Sequence, residues 1–198
     1  MPELPDESAE PRASEDDWAR HRTDRLILDR PSSHDMDDWH RIHADPRVWE
    51  HFPTGRHTEL EQTATALSAA IDDWDRDGLG YWSVRVEVGG TIVGCGGCRI
   101  VTDDRRWNLY YRFSPEVQGN GYAAELATEA IAAATSVRPS WPVVAYMLEH
   151  NVASWKVAER IGMHQLWTGP DAGNPDPNAV RLVYADRDDE TTRTVGRS

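Results

Sequence analysis

The residues best suited to chemistry are two glycines in Gln118-Gly119-Asn120-Gly121, between a predicted strand and a predicted helix. Apolar and aromatic residues run from Leu109 to Phe113, and an alanine-rich helix is predicted to start near Tyr122. The first turn of a helix leaves backbone N–H groups without intrahelical partners, and the peptide dipoles make that end partly positive. Because glycines keep Cβ atoms away from those donors, the turn predicts a binding site for a phosphorylated ligand.

The glycine turn alone does not identify its ligand. Gly119, Gly121 and Ala124 satisfy the loose dinucleotide pattern G-x-G-x-x-G/A. The mostly polar insert from Ser114 to Gln118 separates the strand from the glycines, which is a poor context for that pattern. The Walker pattern G-x-x-x-x-G-K-[ST] does not occur in the chain. A purely conformational role, in which the glycines only permit a tight strand-to-helix turn, also stays open at this point.

The 198 residues suffice for one domain with a sizeable core, flanked by two polar segments. Residues 1–22 are rich in Pro, Glu, Asp and Ser, which predicts a disordered acidic tail. Residues 23–186 form the predicted domain, and residues 187–198 a mobile polar tail. No apolar run approaches the roughly 18 to 20 residues of a membrane span, and no signal-peptide pattern is present, so we expect a cytoplasmic protein.

The formal net charge of −13 is divided unevenly along the chain. Residues 1–18 carry −6 and residues 186–198 carry −1, which leaves about −6 for the part between them. An acidic domain disfavours contact with nucleic-acid phosphates and mildly favours a cationic small substrate or a basic peptide. Solubility alone is also a sufficient explanation for such a charge.

Neither the cysteines nor the closest histidine pair predicts a metal site. Cys95 and Cys98 lie in a predicted glycine-containing strand, where positions three apart point to opposite faces. A redox C-x-x-C would instead open a helix, and a structural zinc site needs further ligands at suitable spacing. His40 and His43 are three residues apart on a predicted helix, which is typical of a surface pair. We therefore expect no metal cofactor.

Hydrophobic periodicity predicts alternating strands and helices after Thr23. Thr58-Glu59-Leu60-Glu61 predicts a capping box for a long helix that ends at Gly78, and Gly89-Gly90 predicts a hairpin turn. The strands on either side of helix 122–137 are expected to be parallel, because a helix connects them. The predicted strands are 26–30, 81–88, 91–101, 109–113, 143–148, 163–168 and 179–185; the predicted helices are 32–44, 60–77, 122–137 and 152–161, with a short helical turn within 47–55.

Four segments carry a resemblance to a known family: TDRLILDRPSSHDMDDW, GTIVGCGGCRIV, LYYRFSPEVQGNGYAAEL and HNVASWKVAERIGM. In this order and spacing they resemble the GNAT superfamily of N-acetyltransferases, in particular the RimJ/RimL-like branch that acetylates ribosomal-protein amino termini. The resemblance covers residues 23 to about 186. It implies an α/β (α+β) fold, with a central mixed, mostly antiparallel sheet of six to seven strands, helices on both faces and a splayed parallel strand pair.

The resemblance implies that acetyl-CoA is the cosubstrate. In the family, backbone amides of the Q/R-x-x-G-x-G/A turn bind its pyrophosphate, and the matching residues here are Gln118, Gly119, Asn120, Gly121, Tyr122 and Ala123. The pantetheine arm of relatives pairs with free strand backbone, which corresponds to Tyr111, Arg112 and Phe113. Asn151 matches an asparagine that typically contacts this arm, and it is equally suited to be a helix N-cap.

The resemblance also implies direct attack of a neutral amine on the thioester, without a covalent enzyme intermediate. The amine then needs a proton acceptor, and the leaving thiolate needs a donor. Some members carry a tyrosine as that donor, at the position of Ala158. Ser154 matches the serine that replaces it in the ribosomal branch and is our candidate donor, although a polar residue in a first helical turn needs no catalytic role. Asn108 stands where that branch often has a glutamate, and an asparagine cannot act as a base.

The general base has no matched residue. Glu149 is our candidate, because it ends the strand beside the splay. His150 at the same place, and Glu50 or His51 in the loop expected on the substrate side, are further candidates by inferred location, and a water chain is another. Four aromatic residues are expected either to line the acceptor pocket or to pack in the core: Trp49, Phe52, Trp107 and Tyr110.

These observations predict an acetyl-CoA-dependent N-acetyltransferase acting on a primary amine. A protein or peptide amino terminus follows from the branch resemblance, and an amine-bearing small molecule is a nearly equal alternative, because one fold serves many acceptors. The alternative function is a non-catalytic acyl-CoA-binding module, because Asn108 and Ala158 stand where relatives carry a catalytic glutamate and tyrosine. A dinucleotide-binding protein is a third and weaker alternative. No nucleic-acid or membrane partner is expected. The oligomeric state is left open, with a homodimer as one option.

Overall fold

The computed structural model describes residues 16–101, 105–188 and 192. Helices and strands alternate along this part of the chain, with short 3-10 turns at Ser33–Asp35, Pro46–Trp49, Pro53–Gly55 and Pro115–Val117. In chain order the elements are α1 (Asp16–Ala19), β1 (Arg20–Arg22), β2 (Ile27–Asp29), α2 (Met36–Ala44), α3 (Leu60–Asp77), β3 (Tyr81–Arg85), β4 (Gly94–Arg99), β5 (Trp107–Phe113), α4 (Tyr122–Val137), β6 (Val143–Leu148), α5 (Val152–Arg160), β7 (His164–Pro170) and β8 (Val180–Ala185).

The strands form one mixed sheet in the order β1-β2-β3-β4-β5-β6-β8-β7. All neighbouring pairs are antiparallel except β5 and β6, which are parallel because α4 returns the chain to the same end of the sheet. The predicted fold class is therefore confirmed: the sheet is mixed and mostly antiparallel, with one parallel pair. It has eight strands among the described residues, rather than the six to seven predicted.

The additional strand is β1, which lies within the segment 1–22 that composition predicts as a disordered tail. Residues 16–22 instead form α1 and β1, and β1 pairs antiparallel with β2. Trp18 anchors this segment, because its carbonyl accepts a hydrogen bond of 2.7 Å from Trp82 Nε1. The composition of residues 1–22 is dominated by acidic residues and proline, so a single tryptophan does not mark the ordered part of this segment. Residues 1–15 and most of 187–198 lie outside the described residues.

Strands β5 and β6 are paired at one end only. Their register joins Trp107 to Val143 and Asn108 to Val144, and these two fully described strands have no further pair. From residue 109 onward, the edge of β5 that faces β6 therefore has no strand partner. Because backbone N–H and C=O groups need partners when buried, this edge can pair with an extended ligand.

Two hydrophobic cores cover the two faces of the sheet. On one face the alanine-rich α4 packs closely, and Gly96 of β4 makes room, since a Cβ there would lie 2.4 Å from Tyr110 O and 2.9 Å from Leu126. On the other face, α2 and α3 contribute Trp39, Ile42, Leu67 and Ala70. Cys98 belongs to the first core and Cys95 to the second, which confirms the strand alternation predicted for them.

Helix α3 begins with a capping box one residue later than predicted. Its N-cap is Glu59, and Gln62 Oε1 accepts hydrogen bonds from the N–H groups of Thr58, at 2.8 Å, and Glu59, at 3.0 Å. Glutamine serves here as well as glutamate, because the box needs only an acceptor oxygen. Gly78 ends the helix with a left-handed φ of 73°, as predicted. None of the helices in residues 16–188 is long and apolar enough to cross a bilayer.

Candidate active site

A cavity of about 990 Å³ opens where β5 and β6 separate. It extends from the glycine turn, along β5 and the start of α5, to the loop 47–52 that follows α2. Its wall includes every predicted cofactor-binding residue except Asn120: Tyr111, Arg112, Phe113, Gln118, Gly119, Gly121, Tyr122, Ala123, Asn151 and Ser154. The sequence motifs that lie far apart along the chain therefore meet at one site.

The glycine turn presents a run of unpaired backbone donors. Gly119 and Gly121 have φ angles of 82° and 81°, in the left-handed region that glycine adopts without a steric penalty. Within the described part of the chain, the N–H groups of residues 119–123 make no hydrogen bond; the next donor, Ala124, bonds Gly121 O at 3.1 Å. Consecutive unpaired N–H groups at the start of a long helix form an anion-binding concavity.

Side chains around the turn hold it in place. Gln118 Nε2 donates to Phe113 O at 3.1 Å, and Asn120 Nδ2 donates to Val117 O at 2.9 Å. Asn120 does not reach the main cavity; it lines an adjoining one of about 480 Å³, together with Arg25 and Arg160. Arg25 Nη1 donates to Asn120 O at 2.9 Å, and the same guanidinium is paired with Glu125, so Arg160 is the arginine here without an ion pair in the described residues. Neither arginine was predicted, because nothing in their local sequence marks them.

Alternate side chains of β5 enter different environments. Tyr111 and Phe113 pack on the α4 side of the sheet. Arg112 points to the opposite side, where its guanidinium contacts Val48 and Trp49. Arg112 belongs to the predicted set through its backbone, and its side chain has a separate environment that the sequence did not indicate.

The start of α5 supplies the predicted polar residues. Asn151 is the N-cap: its Oδ1 accepts from Ser154 N at 3.4 Å, and its amide nitrogen has no partner in the described residues. Ser154 O accepts from the Tyr111 hydroxyl at 2.8 Å. Ser154 lies on the cavity wall, and its hydroxyl also contacts the Tyr111 hydroxyl. A serine hydroxyl that accepts from a neighbour can still donate its own proton to a ligand. Ala158 is fully buried in the core, away from the cavity.

The structure does not bring Glu149, the predicted base, to the cavity wall. Its side chain is exposed, while its backbone N–H bonds Val180 O at 2.9 Å and its C=O accepts from Trp155 Nε1 at 3.1 Å. Both Glu149 and His150 belong to the turn after β6 and are exposed, but only His150 borders the cavity. His150 lines the cavity, as do Glu50 and His51.

The end of the cavity beside the loop 47–52 is called the acceptor end below, and His51 and His150 meet there. His150 Nε2 lies 2.8 Å from His51 O, which joins the loop after α2 to the end of β6. Burial, followed by the charges of Arg112 and His150, lowers the pKa of His51 to about 4. His51 is therefore a neutral imidazole at pH 7, and it can accept a proton.

Asn108 and Trp107 lie away from the cavity. Asn108 is half-buried, is hydrogen-bonded to the Tyr81 side chain and does not line the cavity. Trp107 is fully buried in the core. The other three aromatic candidates, Trp49, Phe52 and Tyr110, line the cavity.

The acceptor end also contains ionic residues that sequence reasoning missed. Arg47, from the loop after α2, pairs with Asp45 and Glu116, both at 2.6 Å. Arg181 of β8 forms an ion pair with Asp171, and both line the cavity. Asp171 begins a loop rich in Pro, Gly, Asn and Asp, whose composition predicts a turn and nothing more. In the described residues, no group of three or more His, Cys, Asp or Glu side chains could hold a metal ion.

Comparison with known proteins gives one family and one fold. The sequence matches the profile of the acetyltransferase (GNAT) domain over residues 25–164. No curated protein shows significant sequence similarity to the chain. Among solved structures, an acetyltransferase from Agrobacterium tumefaciens str. C58 is 27% identical, with a TM-score of 0.68, over 85% of this chain and 94% of that one.

Two further structures share the fold at lower identity. The ribosomal-protein-S5-alanine acetyltransferase from Vibrio fischeri is 14% identical, with a TM-score of 0.71, over 86% of this chain and 97% of that one. The microcin C7 self-immunity acetyltransferase MccE, solved with acetyl-CoA and AMP, is 12% identical, with a TM-score of 0.69, over 82% and 92%. The domain match covers most of the chain, and together with the shared fold it shows that the chain belongs to the GNAT acetyltransferase family, whose cosubstrate is acetyl-CoA.

Proposed function

We propose that the chain transfers the acetyl group of acetyl-CoA to the nitrogen of a primary amine by direct attack. The observation that carries this proposal is the continuity of the cavity. One space joins the glycine turn, at residues 119 and 121–123, to the free edge of β5 and the loop 47–52. A long ligand with an anionic end and an extended arm fits such a space. With its anionic end at the glycine turn, its reactive end lies beside the loop 47–52.

In this proposal the pyrophosphate of acetyl-CoA binds the N–H groups of the glycine turn. The pantetheine arm runs between β5 and β6 and pairs with the backbone of residues 111–113, as an added strand would. The free amide nitrogen of Asn151 donates to the same arm. The thioester then lies between the Ser154 hydroxyl and the residues of the loop 47–52.

The amine nitrogen attacks the thioester carbonyl carbon, and the developing oxyanion takes a hydrogen bond from a backbone N–H of β5. When the carbon–sulfur bond breaks, the Ser154 hydroxyl gives its proton to the leaving thiolate and takes a proton back from water at the cavity mouth. The products are the N-acetyl amine and CoA. No covalent intermediate on the protein is needed.

The attacking amine must lose a proton during the reaction. We assign its acceptance to the neutral imidazole of His51, with His150 and Glu50 at the same end of the cavity. A base of such low pKa holds the proton briefly and passes it to water at the cavity mouth. Glu149 is not used, because its side chain is exposed away from the cavity.

The test combines thermal unfolding with a thiol-release assay. Acetyl-CoA should raise the melting temperature, whereas NAD and ATP should not; a ligand at 100 times its Kd stabilises the folded state by about 2.7 kcal/mol. A panel of small primary amines and peptides with free amino termini is then screened for CoA release, and mass spectrometry locates the acetyl group on nitrogen. Stabilisation without any acetylated amine would favour the acyl-CoA-binding module. No stabilisation by acetyl-CoA would overturn the proposal.

A further inference from the structure

Arg112 is a buried cation on the acceptor side of the cavity. It lies in β5 and is 9% exposed, yet it is part of the cavity wall. Its neighbours Tyr111 and Phe113 face the other side of the sheet, so the guanidinium is directed toward the loop 47–52. The reacting end of acetyl-CoA would lie beside its backbone.

The guanidinium of Arg112 is held in one orientation. It lies 3.4 Å from the centroid of the Trp49 ring, its Nη1 donates to Val48 O at 3.1 Å, and its Nε donates to the Tyr110 hydroxyl. Its Nη2 makes no hydrogen bond within the described residues, and this atom is not fully buried. The Nη2 end therefore meets the cavity, and its position is fixed before any ligand binds.

Arg112 has no anionic partner, which distinguishes it from the other arginines at this end of the cavity. Arg47 is paired with two carboxylates, and Arg181 is paired with Asp171. Among the ion pairs of the described residues, none includes Arg112. Burial of a charge is costly unless an opposite charge and hydrogen bonds compensate it.

The side chains around Arg112 cannot supply the missing charge. His43, His51 and His57 surround it, and their pKa values are lowered by burial first and by the charge of Arg112 as a further cause. These imidazoles are neutral at pH 7, and the other groups that contact the guanidinium are the uncharged Val48 carbonyl, Trp49 ring and Tyr110 side chain. Glu50 also lines the cavity but forms no ion pair with Arg112 in the described residues, so an anionic ligand is the partner that would compensate this charge.

We propose that the acceptor amine also carries a carboxylate, and that Arg112 binds this carboxylate through its free guanidinium edge. This inference rests on the proposed function. Because Arg112 adjoins the backbone at which the thioester would lie, the carboxylate and the amine must be separated by only a few bonds. The acceptor class is therefore a small amino acid. This differs from the cationic substrate that the acidic domain mildly favours, since the local charge at the site is positive.

The test uses pairs of acceptors that differ in charge alone. L-Amino acids are assayed for CoA release beside their C-terminal amides, with wild type, Arg112→Gln and Arg112→Lys. For the best acid, Arg112→Gln should raise KM about 10- to 100-fold, which is the range for loss of a charge-assisted hydrogen bond. Any effect of the variant on packing or on cofactor binding acts on both members of a pair, so the readout is the ratio of KM for the acid to KM for the amide, and this ratio should rise by the same factor. Arg112→Lys should recover part of the loss for the acid, because it restores charge without the planar fork.

Arg30→Gln is the matched control, because Arg30 pairs with Asp75 away from the cavity. It should change none of these values. Three outcomes would overturn the inference. The amides could be acetylated as efficiently as the acids, peptides could be acetylated while no amino acid is, or Arg112→Gln could affect both members of a pair equally.

A binding measurement separates this inference from the proposed function. N-Acetyl amino acids, the products of the reaction, should bind wild type in the presence of CoA, and the corresponding N-acetyl amides should bind at least tenfold more weakly. Arg112→Gln should abolish the difference. If the carboxylates bind through Arg112 while no amine is acetylated, the site for the anion stands and the proposed transfer fails. If acids and amides bind equally, the inference is wrong whatever the activity.

Discussion

The two ends of the cavity are built from different parts of the chain. At the cofactor end, the contacts are backbone N–H groups of one continuous turn, residues 119–123, and the free edge of one strand. At the acceptor end, the contacts are side chains from the loop 47–52, from β5, from the end of β6 and from β8. The first end therefore depends on local conformation, whereas the second depends on long-range packing.

This difference explains what each end can recognise. Backbone donors bind a phosphate whatever the neighbouring side chains are, so the cofactor end suits a cosubstrate common to a whole family. Side chains brought together from four elements can differ in charge and shape from one relative to the next. The acceptor end is therefore where a fixed fold acquires its own specificity.

The largest expected effect is at the backbone turn. Gly121→Glu places a carboxylate among the unpaired N–H groups, at a residue with φ of 81°. We expect acetyl-CoA to bind at least 100-fold more weakly, a loss of about 2.7 kcal/mol or more, measured by calorimetry or by the melting shift. Gly78→Glu is the control, because Gly78 has a similar φ of 73° at the end of α3. Equal affinity in the two variants would contradict the assignment of the phosphate site.

Ser154→Ala should affect the chemical step without affecting cofactor binding. Loss of the hydroxyl removes the proposed proton donor to the thiolate, and we expect kcat to fall about 100-fold with the affinity for acetyl-CoA unchanged. Steady-state kinetics and calorimetry measure the two quantities. Ser68→Ala, an exposed position on α3, should leave both unchanged. If the variant keeps the wild-type kcat, Ser154 has no catalytic role and is only a polar residue in the first turn of the helix.

The acceptor end should be the acid-sensitive half of the molecule. Burial lowers the pKa of His43 from 6.5 to about 3. Between these values the unfolded chain binds a proton that the folded chain does not, so the free energy of unfolding falls as the pH falls, by up to about 1.4 kcal/mol per pH unit. Urea unfolding of wild type and His43→Gln between pH 7 and pH 4 tests this, because the variant should have the flatter slope.

The exposed His164 provides the control for the acid experiment. His164→Gln should keep the slope of wild type. If His43→Gln also keeps that slope, the buried imidazole is not the source of the acid sensitivity, and the contrast between the two ends loses this support.

The smallest expected effect concerns the exposed charge near the turn. Arg160 lines both cavities at the end of α5 and has no ion pair among the described residues. Arg160→Gln should weaken acetyl-CoA binding about two- to fivefold at low salt, as is typical of an exposed charge, and the difference should shrink at high salt. Lys156→Gln makes the same charge change on the same helix, outside both cavities, and should have no effect.

The signals at the cofactor end are local, so the sequence predicts its conformation. The glycines, the strand before them and the helix after them are contiguous and predict an anion-binding turn, and the family resemblance then assigns Gly119 to Ala123 to acetyl-CoA. The acceptor end has no such signal. Arg112 is predicted only for its backbone, and the environment of its side chain depends on Val48 and Trp49, which lie far away along the chain. Glu149 is predicted from its position at a strand end, and the turn that follows β6 leaves its side chain exposed outside the cavity.

The hydrogen bond from the Tyr111 hydroxyl to Ser154 O has a consequence for the speed of binding. It links β5 to the start of α5, so it holds these two walls of the cavity at a fixed separation before a ligand binds. A ligand then enters an opening that needs no rearrangement, and association is limited by diffusion and orientation rather than by a slow conformational step. Differences in affinity among acyl-CoA analogues should therefore arise almost entirely from how fast each one leaves.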